Sequence, residues 1–355
     1  MLLDHFGLRE QPFGVTPNPR FLYLSPSHRE ALASLVYGIE SGRGFLALIA
    51  SPGMGKTTLL FQLLERLGSS ARTVFLFQTQ RGSRDLLRSL MADLGLGGEE
   101  QDVVVLQSRL NQVLLEELQA GRKFVVLIDE AQNLDDPSLE FVRMLSNFET
   151  PRDKLIHIVL AGQTQLAQQL ARPSMVQLRQ RVSMFIRLHP LSRSEIAEYI
   201  DHRLRIAGYK GSALFSAGAV SAIASLSGGV PRNVNNICFN ALSLGYAGGR
   251  RRIESAIVRE VAEDLDLSTL AGESDRVLRQ PAGSTLETRG RGRNDSTRAE
   301  GWAILLDRVL PTVREAGPDP GGEASLKLKE SWRQGSRWKE TVGSLAGRLR
   351  DRMVH

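Results

Sequence analysis

A glycine-rich turn contains the first residues whose chemistry can be inferred from their types and spacing. Positions 51–58 read SPGMGKTT, which matches the phosphate-binding pattern G-x-x-x-x-G-K-[ST] except that Ala50 stands at the first glycine. In such a loop the backbone N–H groups and the following helix N-terminus hold phosphates, the lysine neutralises charge, and the next hydroxyl binds Mg²⁺. Alanine is small enough for this position if its φ is negative. The predicted nucleotide-binding residues are Pro52, Gly53, Met54, Gly55, Lys56, Thr57 and Thr58.

Two carboxylates follow the apolar run VVLI at positions 125–128. Asp129 ends this predicted strand, where it can hold a hydrated Mg²⁺ opposite Thr57, and Glu130 is the candidate base for an attacking water. Acidic residues at strand ends also occur as plain helix caps. The presence of the Lys56 loop favours the catalytic interpretation.

Four further polar residues are candidates for the same site. Gln163 follows the predicted strand IHIVLAG and can orient water or sense a γ-phosphate, although any turn tolerates glutamine. Arg181, with Arg179 as the alternate, precedes the last strand and is the candidate finger toward a neighbouring subunit; a structural salt bridge is the competing interpretation. Arg232 follows GGVP in the first turn of a predicted helix, either pointing at the γ-phosphate or simply exposed.

Five short apolar runs alternate with helical patterns along the first half of the chain. The predicted strands cover residues 45–50, 73–78, 123–129, 155–162 and 183–188. This alternation specifies an α/β fold, a doubly wound domain with a five-stranded parallel sheet. After Pro190 the strand signals stop, and Ser192 with Glu195 forms a capping box that opens a smaller all-helical domain.

Four regions follow from this pattern. The predicted domains are an N-terminal arm that is extended and rich in Phe and Pro (1–24), a nucleotide-binding α/β domain (25–190), a helical lid (191–268) and a largely disordered basic tail (269–355). Within the tail, apolar residues every three or four positions from Trp338 to Met353 predict an amphipathic helix that forms on a partner or a membrane surface. A solvated tail without a role is the alternative.

Charge and composition bound the classes of function. The net charge is +6, but 15 of the 45 Lys and Arg residues and 10 of the 39 acidic residues lie after residue 278, so the rest of the chain is nearly neutral. The single cysteine, Cys238, excludes an intrachain disulfide and is expected in the core. No signal peptide is recognised, and no segment reaches about 18 uninterrupted apolar residues. We therefore expect a cytoplasmic protein with peripheral contact at the inner membrane.

Together these motifs resemble the AAA+ ATPases, and among them the ExeA-like group named after general secretion pathway protein A. The resemblance covers residues 1 to about 268 and rests on DHFGLREQPFGVTPNPRFLYLS, HREALASLVYGIESGRGF, PGMGKTTLL, LIDEAQNL, LSNFET, LAGQTQL and GGVPRNVNN. It implies that ATP binds with Mg²⁺ between the α/β domain and the lid. The roles it implies are Lys56 and Thr57 on phosphate and Mg²⁺, Asp129 and Glu130 as the Walker B pair, Gln163 as sensor 1, Arg232 as sensor 2 and Arg181 as finger.

The resemblance favours an oligomeric ATPase that drives assembly of a secretion, pilus or polysaccharide-export system. Members of the group often continue into a membrane-spanning helix and a periplasmic peptidoglycan-binding domain, and this sequence shows neither pattern. One alternative is a DNA-associated ATPase that helps transposition or replication, in which Arg289, Arg291 and Arg293 of the tail contact phosphates. Another is a nucleotide-dependent protein-binding switch with slow hydrolysis.

Overall fold

The computed structural model describes residues 1–77, 82–96 and 102–264, all within one compact unit. The strands are β1 (Phe45–Ile49), β2 (Ala71–Leu76), β3 (Lys123–Ile128), β4 (His157–Gly162) and β5 (Met184–Arg187). The helices of the α/β part are α2 (Pro26–Glu40), α3 (Lys56–Leu67), α4 (Ser83–Asp93), α5 (Val103–Gln119), α6 (Asp136–Leu145), α7 (Thr164–Ala171) and α8 (Val176–Arg181). The remaining helices are α1 (Leu2–Phe6) before them, and α9 (Arg193–Ile206), α10 (Ala217–Ser227), α11 (Pro231–Ala247) and α12 (Ser255–Asp264) after them.

The five strands form one parallel sheet in the order β2-β3-β4-β1-β5, which confirms the predicted doubly wound fold. Two of the three interior strands, β1 and β4, are buried at every position. Helices cover both faces of such a sheet, so its strands are apolar runs without alternation. Strand β2 begins two residues before the predicted run, because Ala71 pairs with Lys123 of β3.

The strand order decides which loops are neighbours. Strands β3, β4 and β1 are adjacent, and parallel strands all end at the same edge of a sheet. The segments that follow β1, β3 and β4 therefore begin side by side. These segments contain the glycine-rich loop, the acidic pair and Gln163.

Two hydrophobic clusters bear on the site. The first core lies on the face of the sheet that α4 to α8 cover, and the second core lies within the helical region from α9 to α12. The opposite face of the sheet, with Leu46 and Leu48 of β1, is also buried. Cys238 is fully buried in the second core, as expected. Four N-terminal residues also belong to this second core: Phe6, Leu8, Phe13 and Phe21.

The N-terminal segment is therefore more structured than the extended arm predicted from its Phe and Pro content. Leu2–Phe6 forms helix α1, which packs on α11, and Pro19–Phe21 forms a single 3-10 turn. Its aromatic side chains need an apolar surface, and the helical region supplies one. The segment thus packs against the helices that come last in the sequence.

Side-chain caps set the starts of two helices that position the site. Ser25 accepts a hydrogen bond from the backbone N–H of His28 and caps α2. Ser192 and Glu195 form the predicted capping box at the start of α9. The predicted linker and amphipathic helix after residue 268 lie outside the described residues. Among the described helices, none has the length and apolar character needed to cross a bilayer.

Candidate functional site

The glycine-rich loop adopts the conformation that its sequence requires. Gly53 and Gly55 have φ angles of 78° and 85°, in the left-handed region that favours glycine. Among the described residues Glu130 alone has a positive φ without being glycine, so the φ of Ala50 is negative and its methyl group is tolerated. The N–H of Ala50 still donates to the carbonyl of Gly162 in β4 at 3.1 Å. The loop leaves β1 without distortion at the non-standard residue.

Helix α3 begins directly after this loop. Its first intrahelical hydrogen bond runs from Leu59 N to Gly55 O, at 2.9 Å. The N–H groups of Lys56, Thr57 and Thr58 therefore have no carbonyl acceptor within the helix. Such a helix start carries partial positive charge and binds anions.

Lys56 lies beneath the loop with only 5% of its surface exposed. Its ammonium Nζ donates to the carbonyl oxygens of Ala50 at 3.0 Å and Ser51 at 3.3 Å. Burial lowers the pKa of Lys56, while the charges of Glu130 and Asp129 act in the opposite direction. An anionic phosphate at the loop would add further compensation for this buried cation.

Thr57 and Asp129 meet across the edge of the sheet. The Thr57 hydroxyl donates to Asp129 Oδ2 at 2.6 Å, and the Glu130 N–H donates to Asp129 Oδ1 at 2.9 Å. Asp129 has no exposed surface, and burial raises the pKa of its carboxyl group. A hydroxyl and a carboxylate side by side are the hard oxygen ligands that suit Mg²⁺, which keeps several of its waters. The donor set therefore fits the predicted metal.

Glu130 is held by two amide side chains. Its Oε2 accepts from Gln132 Nε2 at 2.5 Å and from Gln163 Nε2 at 3.1 Å. Gln132 Oε1 in turn accepts from the backbone N–H of Gln163 at 3.0 Å. Glu130 Oε1 has no hydrogen bond to any residue that the structure describes. The structure thus brings Gln163 to the carboxylate, and it adds Gln132, which sequence reasoning missed.

Arg232 connects the helical region to the loop. It lies in the first turn of α11, where its N–H donates to the Gly53 carbonyl at 3.2 Å. Its side chain lines the cleft beside the loop, and its charge contributes to lowering the pKa of Lys56, after burial. Within the described ranges the guanidinium has no carboxylate partner. Two cations therefore face the same cleft.

Arg181 and Arg179 do not belong to this cleft within one chain. Both lie in the last turn of α8, and neither lines the space around the glycine-rich loop. Arg181 is near Lys154, whose pKa is lowered by burial and by the Arg181 charge. Neither guanidinium forms an ion pair with a described residue. The salt-bridge interpretation is thus not seen in the described part of the chain.

The N-terminal segment forms one wall of the cleft. Residues 14–18 face the loop across a space of about 960 Å³, including its open mouth. Two carbonyls of the wall are anchored to the helical region, Pro12 O by Arg203 Nε at 2.6 Å and Gly14 O by Asn235 Nδ2 at 3.2 Å. Arg203, 9% exposed, also lies over the ring of Phe21 at 4.9 Å.

This wall was not predicted, because a single sequence does not show which distant helix faces a loop. The segment's aromatic and proline content was the available signal. It indicated packing against another surface, and it did not indicate which one. His28, which lines the same cleft, was missed for a similar reason.

Comparison with known proteins agrees with this geometry. A family model described as an AAA domain matches residues 39–170. General secretion pathway protein A of Aeromonas hydrophila is 39% identical over 254 residues, which cover 71% of this chain and 46% of that protein. The chain thus spans about half the length of this curated relative.

Two solved structures share the fold. The ORC2 protein of Aeropyrum pernix, solved as ADPNP–ADP complexes, superposes with a TM-score of 0.55 at 16% identity and covers 90% of this chain and 88% of its own. Cdc6p of Pyrobaculum aerophilum gives a TM-score of 0.54 at 18% identity, over 84% of this chain and 89% of its own. At these identities the likeness concerns the fold, and both agree with a P-loop nucleotide-binding architecture.

Proposed function

Because the chain belongs to the ExeA-like group of AAA+ ATPases, we propose that it binds ATP with Mg²⁺ in the cleft beside the glycine-rich loop and hydrolyses it. The observation that carries this proposal is the convergence at one sheet edge of three segments far apart in sequence. Thr57, Asp129, Glu130, Gln132 and Gln163 form one continuous hydrogen-bonded chain there. Lys56 and the N–H groups in the first turn of α3, which have no acceptor within the helix, lie next to Thr57 at one end of this chain.

Each group has a distinct task in phosphoryl transfer to water. The loop N–H groups and Lys56 bind the phosphate oxygens, and Arg232 approaches them from the helical region. Thr57 and Asp129 would hold Mg²⁺, which neutralises phosphate charge when bound. Catalysis of this reaction depends mainly on positioning and on stabilising negative charge.

Glu130 is the proposed general base. A water oxygen attacks the γ-phosphorus, the bond from that phosphorus to the bridging oxygen breaks, and the water proton moves to the carboxylate. Both amides bind Oε2, so Oε1 is the oxygen available to this water. Gln163 and Gln132 thereby set the rotation of the carboxylate. The products are ADP and inorganic phosphate.

The direct test compares wild type with Glu130→Gln. Phosphate release with Mg²⁺ and ATP should fall by about 10²–10⁴-fold, because the base is removed while the loop is intact. Calorimetric titration with ADP should give a dissociation constant within about threefold of wild type, since the substitution leaves Lys56 in place. Glu116→Gln on the exposed face of α5 is the matched control and should retain full activity. Equal phosphate release by wild type and Glu130→Gln would contradict the assignment.

The biological role rests on the relative. We propose that the chain acts as a homo-oligomer in the cytoplasm, peripheral to the inner membrane, and drives assembly of a secretion, pilus or polysaccharide-export system through envelope-assembly proteins. The identity to general secretion pathway protein A supports this role, although the chain spans 46% of that protein. Analytical ultracentrifugation with and without ATP tests the oligomer, and a single species at monomer mass under both conditions would argue against it.

A second candidate role is favoured by the arginines near the linker. Arg289, Arg291 and Arg293 place three cations within five residues, which suits phosphate contacts with DNA. The test is duplex binding and ATP turnover over a range of salt concentrations. DNA-stimulated turnover with affinity that falls steeply as salt rises supports this role. Binding of a protein partner that requires ATP but not its hydrolysis would instead support a slow switch.

A further inference from the structure

His28 lines the cleft beside the glycine-rich loop. It is 3% exposed, and both of its ring nitrogens have partners. Nε2 lies 2.9 Å from the carbonyl oxygen of Met54, and Nδ1 lies 2.7 Å from the hydroxyl oxygen of Ser25. A carbonyl oxygen only accepts hydrogen bonds, so the proton is on Nε2, and Nδ1 accepts from the Ser25 hydroxyl. The ring therefore has one fixed orientation.

The Met54 carbonyl belongs to the peptide that joins Met54 to Gly55, in the middle of the loop. A trans peptide is planar, so its C=O and N–H groups point in opposite directions. A hydrogen bond from His28 to this carbonyl therefore turns the Gly55 N–H away from the histidine and toward the interior of the loop. Gly55 has a φ of 85°, and its hypothetical Cβ would lie 3.6 Å from His28 Nε2.

Glycine makes this peptide easy to rotate in the absence of a restraint. Gly53 and Gly55 flank Met54, and both lie in a region of φ that glycine reaches at little cost from either direction. A loop with two such hinges loses conformational entropy when it binds phosphate. A buried hydrogen bond to the intervening carbonyl reduces that loss before the ligand arrives.

The second ring nitrogen of His28, Nδ1, is held by Ser25. Ser25 is the N-cap of α2 and lies two residues after Tyr23, which belongs to the N-terminal arm. The Ser27 hydroxyl, in the same turn, donates to the carbonyl oxygen of His189 at 3.5 Å. His189 lies three residues before Ser192, the N-cap of α9. The first turn of α2 is thus in contact with the loop, the arm and the connection to the helical region.

We propose that His28 is a positioning residue for phosphate binding, which holds the Met54–Gly55 peptide so that its N–H faces the ligand. The inference rests on the proposed nucleotide site and assigns to it a residue that supports the loop through the Met54 carbonyl. His28 itself touches no reacting atom. Burial lowers the pKa of His28, which agrees with a neutral ring that donates through one nitrogen and accepts through the other.

The test uses three substitutions that separate the two hydrogen bonds. His28→Ala removes both. In His28→Gln the terminal amide reaches the position of Nε2 and can still donate to Met54, whereas in His28→Asn the shorter amide reaches only the position of Nδ1. Glu30→Gln, two residues away on the exposed side of α2, is the matched control.

Calorimetric titration with Mg²⁺ and ADP gives the primary readout. We expect the dissociation constant to rise about tenfold in His28→Ala and His28→Asn, which corresponds to about 1.4 kcal/mol, and less than about threefold in His28→Gln. In steady-state hydrolysis the KM for ATP should rise while kcat stays within about twofold, because loop positioning affects bound substrate and transition state alike. Glu30→Gln should match wild type.

Thermal unfolding without nucleotide accompanies the titrations. If His28→Ala does not fold, the Gln and Asn variants decide, since both keep a polar side chain at the site. Equal ADP affinity in wild type and His28→Asn, or equal losses in the Gln and Asn variants, would overturn the inference. Failure of wild type to bind ADP would instead refute the proposed nucleotide site itself.

Discussion

Two loop glycines give a sharp test of the contact between the loop and the helical region. Gly53 and Gly55 both have positive φ, at 78° and 85°, so alanine at either position is strained by the backbone. They differ in what a new Cβ would meet. At Gly53 it would lie 2.8 Å from Arg232 Cβ and 3.1 Å from Val230 Cγ1, whereas at Gly55 it would lie 3.6 Å from His28 Nε2. Only the Cβ at Gly53 would clash with its neighbours.

The expected magnitudes follow from that difference. The left-handed backbone costs about 1–2 kcal/mol for alanine, and this is the whole expected loss for Gly55→Ala. Arg232 Cβ is attached directly to the backbone of α11, so it moves only if the helix start moves. Overpacking of this kind costs about 1–3 kcal/mol more. We therefore expect Gly53→Ala to lower the free energy of unfolding by about 2–5 kcal/mol.

Chemical denaturation of the nucleotide-free protein measures both values. All three tryptophans, Trp302, Trp332 and Trp338, lie beyond residue 264, so circular dichroism at 222 nm is a better probe than tryptophan fluorescence. The difference between the two variants reports the contact of Gly53 with Arg232, because the backbone cost is common to both. Equal losses in Gly53→Ala and Gly55→Ala would refute the close approach of α11 to the loop.

Two further predictions concern other parts of the structure. Burial and the nearby charge of Lys123 lower the pKa of His157 to about 4. The unfolded chain therefore takes up a proton near pH 6.5, whereas the native state does so only near pH 4. The free energy of unfolding consequently falls as the pH drops from about 6.5 to 4. Urea unfolding at pH 7 and pH 4 measures this loss of stability. In His157→Leu the difference between the two free energies of unfolding should shrink by on the order of 3 kcal/mol, and an unchanged difference would contradict the prediction. The second prediction is that the Arg181→Ala protein and the Glu130→Gln protein are each inactive alone. A mixture of the two should regain about a quarter of wild-type ATPase activity, because an arginine finger acts on the site of the neighbouring subunit. If the Arg181 variant is fully active, the same mixing test with Arg179→Ala decides the alternate.

The strands and the loop were predictable because their signals are local. Each buried strand is an unbroken apolar run, and a parallel sheet with helices on both faces requires that pattern. The tolerance of Ala50 also followed from the sequence, since only a positive φ would have excluded a methyl group. The capping box of Ser192 and Glu195 was predictable for the same reason, because a cap depends on residues within one turn.

The supporting residues were not predictable, because they act across the fold. Gln132 lies two positions after Glu130, but its link to the backbone of Gln163 depends on β3 and β4 being neighbours. Arg203 binds a carbonyl 191 positions earlier in the chain, at Pro12. The arm was predicted to be extended, whereas its first turn is helical and its rings are buried among helices α9 to α12.

The sequence by itself determined the type of chemistry: a phosphate loop after one strand, a carboxylate pair after a second and a polar side chain after a third. Local backbone preferences and apolar periodicity are properties of a few consecutive residues, so they can be read without coordinates. Only the tertiary structure decided that these strands are adjacent, that His28 hydrogen-bonds to the loop at Met54, and that the arm forms one wall of the cleft. Those contacts join residues up to about two hundred positions apart, and they form because burying apolar surface brings distant segments together.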